Sequence, residues 1–354
     1  MARVQETCSR VLQVLVTLVW VFCLEAPCLS QSNPNLQTYF KEYVGLTDEQ
    51  ISTIRSGQAV SKKLQSRKAD EIFVFGAVYV NADPETYLKF SRDFDRLRAL
   101  PGYQALGTLS NPPQPSELKG FAFDSEDIKD LKNCKPGKCE VQLPASRIEE
   151  LQRTIDWSAP NVEDQVTQLL QKTAIQRITA YQHEGNTAFE AYNDKKETTD
   201  VAEQFKYMLS YSKALPKYLP DFYNYLLSYP AGKHENVEDT FYWAKVKFGL
   251  KPTLRVIHVL TYHGTPPDEP VYSIAEKQLY SSHYFQTALD LTFCVTDTAD
   301  PHAKGFYLIK VLGSEQAGLT GFKGSIVRKV AVDRSASSLQ KSLNVIKNTL
   351  EQNP

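Results

Sequence analysis

The residues best equipped for chemistry cluster in one stretch, Glu276 to Val295, "EKQLYSSHYFQTALDLTFCV". His283 supplies an imidazole and Tyr280 and Tyr284 supply phenols, groups that move protons or hold a ligand. No carboxylate lies close in sequence to orient the imidazole. The G-x-S-x-G elbow and the H-E-x-x-H helix are both absent. No catalytic residue is therefore assigned. His283 is read first as a ring satisfied by backbone or tyrosine hydroxyls, and second as a ligand contact. His258 and His263 are five apart across a strand end and face opposite ways on a regular strand, which makes a poor metal pair. No metal and no cofactor is assigned.

Two further patterns invite chemistry. Gly318, Gly321 and Gly324 in "GLTGFKG" suggest a phosphate cradle but lack the strand-to-helix context and the Lys-Ser/Thr ending of a P-loop. They read as a β-turn between two strands. Lys245, Lys247, Lys251 and Arg255 read as a solvated sheet face. Trp243 shares strand parity with Lys245 and Lys247, so an aromatic-and-cation wall for an acidic headgroup is the second reading. The aromatic set "YLPDFYNYLLSY" reads as packing, or as a lid if it borders a cavity.

The strand that carries His283 must position it. From His283, alternate residues are Phe285, Thr287, Leu289, Leu291, Phe293 and Val295, and the other face is mixed-polar. That is the pattern of a half-buried strand. Twenty residues at about 3.3 Å each would span roughly 66 Å, so a bend or bulge is expected, with Ser281 to His283 as its place. A bulge there would re-aim His283 toward a cavity.

The chain opens with an address. Arg3 and Arg10 precede the apolar run Val11 to Leu24, and "EAPCLSQ" follows with small residues at Cys28 and Ser30. Residues 1–30 read as a secretory signal cleaved after Ser30, because the apolar run is short of the roughly 20 residues a membrane span needs. The expected compartment is periplasmic or extracellular, with no transmembrane span in the mature chain. Cys134 and Cys139 flank the turn-forming Lys-Pro-Gly-Lys, so in an oxidising compartment they read as a hairpin disulfide. Cys294, in an apolar strand pattern, reads as a buried free thiol.

Residues 31–144 form the N-terminal part of an α+β domain. Thr47 and Gln50 mark a capping box, Glu71 to Val80 is an apolar β run, and Asp83-Pro84 starts a helix. Residues 145–237 are a helical block. Residues 238–354 are strands followed by an amphipathic helix carrying Leu339, Leu343, Ile346 and Leu350. "GSIVRKVAVDR" reads as the last strand before that helix. Lys plus Arg number 40 against 41 for Asp plus Glu. That balance gives no electrostatic case for nucleic acid or an acidic membrane surface.

The order of elements resembles the START-like, helix-grip superfamily of polyketide cyclases and lipid-transfer proteins. "FGAVYVNADPETYLKFSRDFDRL" is similar to its first strand and helix. "GFYLIKVLGSEQ" through "KSLNVIKNTLE" is similar to its last strands and gripping helix. "KQLYSSHYFQTALDLTF" is also similar to secreted bacterial proteins of unassigned function. The resemblance implies a curved antiparallel sheet gripping the C-terminal helix, with the helical block as a large insertion. It also implies a cavity for a hydrophobic small molecule or lipid. His283, Tyr284, Tyr280, Arg255 and Trp243 are the expected ligand-binding residues. The alternatives are an enzyme on the same scaffold (cyclase, dehydratase or hydrolase) and a cell-envelope module that binds a protein partner.

Overall fold

The computed structural model describes residues 36–100, 102–247, 251–266, 269–296, 304–319 and 321–352. The expected leader, residues 1–30, lies outside them. The apolar runs become eight strands: β1 (Val60–Lys63), β2 (Glu71–Val80), β3 (Tyr103–Leu109), β4 (Val237–Lys247), β5 (Pro252–His263), β6 (Tyr272–Ser281), β7 (Phe285–Thr296) and β8 (Phe306–Gln316). They pair antiparallel in one curved sheet, in the order β1-β2-β8-β7-β6-β5-β4-β3. The last strand therefore sits inside the sheet. β8 pairs with β2 from Glu71↔Glu315 to Val80↔Phe306, and with β7 on its other side. The chain is α+β, as expected.

The helices among the described residues are α1 (Leu36–Thr38, continued by a π turn Tyr39–Val44), α2 (Asp48–Arg55), α3 (Pro84–Arg92), α4 (Phe94–Arg98), α5 (Ser125–Leu131), α6 (Ala145–Thr154), α7 (Val162–Glu184), α8 (Val201–Leu209), α9 (Leu215–Tyr218), α10 (Pro220–Ser228) and α11 (Gly321–Gln352). Local chemistry sets their starts. Thr47 and Gln50 close a capping box at α2, and Asp83 accepts from the Glu85 N–H at α3, where Pro84 takes the first position. Among the described residues no helix is long and apolar enough to cross a membrane.

Side-chain alternation divides the sheet into two buried faces. One carries Phe73, Leu289, Leu291, Val256, Leu260 and Phe241, packed under the helices from α5 to α10. The other carries Val74, Val78, Leu308 and Cys294, packed against α3 and α11. There α11 comes so close to β2 that a Cβ on Gly76 would lie 2.7 Å from Leu343 and 2.8 Å from Leu339. Only glycine leaves the helix room at that crossing. The Cys134–Cys139 disulfide closes a turn in which Lys135 and Lys138 form a bridge, and Cys294 is buried and free.

Three sequence readings need correction. Glu276 to Val295 is not one bent strand but the arms of β6 and β7, paired from Tyr272↔Cys294 to Lys277↔Leu289. The chain reverses at Ser282–Tyr284, where Tyr284 has φ +65°. A bulky residue rarely takes that conformation, so no Gly, Asn or Pro announced the turn. Gln142 stabilises it, its side-chain amide donating to the carbonyls of Ser281 (2.8 Å) and Phe285 (3.1 Å). "GSIVRKVAVDR" is not a strand either but the first part of α11. Its β-branched residues mimic a strand, yet Ile326, Val327 and Val330 lie exposed while Val332, Ala336, Leu339 and Leu343 form the buried stripe. Helical continuity with the packed second half overrides local β preference. The "GLTGFKG" segment accordingly joins a strand to a helix, with Gly318 at φ +80° and Gly321 at φ +73°.

Candidate functional site

The apolar parity of β7 and β8 does not run under a solid layer. Phe73 and Phe75 of β2, Leu289, Leu291 and Phe293 of β7, and Ile309 and Val311 of β8 floor a cleft of about 1720 Å³. The helical turns 36–44 wall one side with Leu36, Tyr39 and Tyr43. The segment 208–219 walls the other with Met208, Leu209, Tyr211, Leu215 and Tyr218. The volume exceeds the roughly 300–1,000 Å³ usual for small-ligand pockets. Its rim is basic: Arg55, Lys62, Lys63, Arg67 and Lys213 against Glu42 and Glu269. Lys63 pairs with Asp333, and Arg67 is held by Glu71 and stacks on Tyr207 at 3.5 Å. Among the described residues no ion pair engages Arg55 or Lys213, which leaves positive charge at the mouth of an apolar cleft.

Further along the same face the helical block covers a buried polar chain. His258 of β5 is fully buried and stacks on Phe241, with ring centroids 4.2 Å apart. Its Nε2 lies 2.9 Å from Asp239 Oδ1 on β4, and its Nδ1 lies 3.0 Å from Tyr181 Oη on α7. Lys277 Nζ of β6 donates to Tyr181 Oη at 3.0 Å and to Asn186 Oδ1. Burial pushes His258 down to about 4 despite the pull of Asp239. Burial also pushes Asp239 up, but hydrogen bonds and charge from His258 and Lys233 outweigh it and hold the carboxyl below its ordinary value. Burial pushes Lys277 well below the usual lysine range and Tyr181 well above that of a phenol. With neutral His258 donating from Nε2, Nδ1 accepts the Tyr181 proton, and Tyr181 Oη accepts from Lys277. A cavity of about 50 Å³ adjoins this chain, lined by Tyr181, Phe189, Arg177 and Tyr280.

None of the five expected ligand-binding residues lines the large cleft. Tyr280 lines the small cavity, and its buried hydroxyl has no hydrogen-bond partner among the described residues. Trp243 is 1% exposed and donates from Nε1 to the Glu117 carbonyl at 2.8 Å. Arg255 lies on the opposite face, where its Nε donates to Gln278 Oε1 at 3.1 Å. His283 sits in the β6–β7 turn with its ring nitrogens each 3.1 Å from an acceptor: the Glu140 carbonyl on one side and the Asp127 carboxylate on the other. The orienting carboxylate absent from the local sequence thus comes from α5. Lys251 also reaches Asp127, at 3.5 Å, and its backbone N–H donates to Tyr284 Oη at 2.9 Å. Together these contacts knot α5, the disulfide loop and the start of β5 to the turn.

The opposite face holds a cluster of titratable groups, in which Asp290, Glu276, Arg255 and Lys310 act on one another. Asp290 faces Glu276 directly across β7 and β6, and it is half-buried. Burial, then the Glu276 charge, pushes its carboxyl up to about 6. Tyr242 Oη donates to Glu276 at 3.3 Å.

The cleft floor was legible as the apolar parity of β7. The Asp239–His258–Tyr181–Lys277 chain was not, because it joins four elements. Its one sequence signal is Lys277 itself, a lysine sharing parity with Ala275 and Leu279. No family model and no curated protein matches this chain.

Proposed function

We propose that this is an exported binding protein for a hydrophobic or amphipathic, lipid-like ligand, held in the 1720 Å³ cleft with an anionic headgroup at its basic rim. The observation that carries this reading is the pairing of an aromatic and aliphatic floor with an excess of positive charge at the mouth. An acyl or isoprenoid chain removes apolar floor from water at about 25 cal/mol per Å². Arg55 and Lys213 then meet the acidic end. Under this reading the scaffold is START-like and the block 145–237 is an insertion. In support, its helices stand on the cleft face while α11 crosses the other face.

Displacement of a fluorescent fatty acid from the mature chain, together with native mass spectrometry for co-purified lipid, tests the proposal. Micromolar binding is expected. Phe293→Arg should weaken it at least about tenfold by placing a charge in the apolar floor. The double change Arg55→Glu with Lys213→Glu should weaken an anionic ligand more than a neutral sterol. Absence of lipid binding, or binding indifferent to Phe293→Arg, overturns it.

A further inference from the structure

Lys277 is the least expected buried group in the molecule. It is 1% exposed, and among the described residues no carboxylate pairs with its amine. Its surroundings are one phenol, one amide and three rings, with Nζ 3.9 Å from the Phe205 centroid, 4.7 Å from Phe189 and 4.8 Å from Tyr181. A lysine desolvated in this way keeps its lone pair and is a nucleophile rather than a counter-ion. Its amine donates to Tyr181 Oη and Asn186 Oδ1.

Its place in the sheet gives that nucleophile a substrate. Lys277 pairs directly across the strands with Leu289, which lines the large cleft. Phe205, against the amine, belongs to α8, whose Met208 and Leu209 line the same cleft. On its other side, Tyr181 and Phe189 line the 50 Å³ cavity. The amine therefore stands one strand beyond the apolar floor and lines neither space itself, so a ligand in the cleft meets it only past the Phe205 ring.

We propose that Lys277 captures a hydrophobic aldehyde or ketone as a Schiff base, the carbon chain lying in the cleft and the carbonyl reaching past Phe205. This rests on the cleft being the ligand site. The Nζ lone pair adds to the carbonyl carbon, and one amine proton passes from nitrogen to the carbonyl oxygen to give a carbinolamine. Its hydroxyl then leaves as water with the proton of Tyr181, while nitrogen loses a proton that returns to Tyr181. The balance is amine plus carbonyl to imine plus water, with no oxidant or reductant. His258, held by Asp239, accepts from Tyr181 and positions that phenol.

The test treats the full chain with a long-chain alkanal and cyanoborohydride, then maps the alkylated lysines by peptide mass spectrometry. Modification of Lys277 in roughly tenfold preference to surface lysines is expected, because burial among rings with no carboxylate beside it favours the unprotonated amine over that of a solvated lysine. Lys277→Met, which removes a buried amine and fills its space, should lose that adduct and keep its fold. Tyr181→Phe should slow its formation. Modification confined to surface lysines, or an equal yield from Lys277→Met, overturns the proposal. Fatty-acid displacement in the same preparation separates the two readings. Displacement without a Lys277 adduct removes the covalent step alone, and an adduct without displacement removes the fatty-acid reading of the cleft alone.

Discussion

Acid should destabilise this protein through His258 in a window set by its burial. The ring is fully buried, and its folded-state value is pushed down to about 4 from an ordinary 6.5. Between those two values the unfolded chain binds a proton that the folded chain refuses. Stability is therefore complete above about pH 6.5 and falls as the pH drops toward 4. At about 1.4 kcal/mol per pH unit the loss amounts to about 3 kcal/mol. Asp239 does not enter this window, because its carboxyl is held below the ordinary 3.8 and its contribution fades only at lower pH. Asp290 works in the opposite direction, since a carboxyl raised to about 6 is relieved by acid over much of the same range. The effect must therefore be read as a difference. Urea unfolding of the wild type and of His258→Gln, which keeps polar partners for Asp239 and Tyr181 but does not titrate, is measured near pH 7 and near pH 4. The wild type should lose about 3 kcal/mol more than the variant. Equal losses in the two proteins would refute the assignment of a neutral, shielded His258.

Asp290→Asn should stabilise the fold above about pH 6, where the wild-type carboxylate is penalised, and the gain should disappear near pH 4; urea titrations at the two pH values check it. Asp127→Ala strips the carboxylate from His283 and Lys251 and should cost roughly 2–4 kcal/mol, leaving lipid binding in the cleft unchanged; thermal unfolding beside a binding titration separates the two. Gly76→Ala places a methyl 2.7 Å from Leu343, and a cost of about 1–3 kcal/mol in chemical denaturation is expected. Thiol titration of unfolded, unreduced protein that begins at Gln31 should find one reactive thiol, Cys294, with Cys134 and Cys139 oxidised.

Sequence by itself determined what is local. Thr47 with Gln50 and Asp83 with Pro84 place helix starts, since a cap is satisfied within three residues. Lys-Pro-Gly-Lys brings Cys134 and Cys139 together because the turn between them is short. Alternation along β7 marks Leu289, Leu291 and Phe293 as one apolar face. Periodicity cannot say what covers such a face. A cleft opens over it because the turns 36–44 and the segment 208–219, far apart in sequence, stand on either side of the strands. The same limit explains His283, whose orienting carboxylate is 156 positions away on α5. It also explains the reversal at Ser282–Tyr284, which is held by Gln142 from another segment rather than by a turn residue of its own. Asp239 on β4, His258 on β5, Lys277 on β6 and Tyr181 on α7 lie on four elements, and nothing in the sequence around any one of them names the other three. Only sheet pairing and the helix laid across it bring them within hydrogen-bonding distance, and burial then changes which of them carry charge.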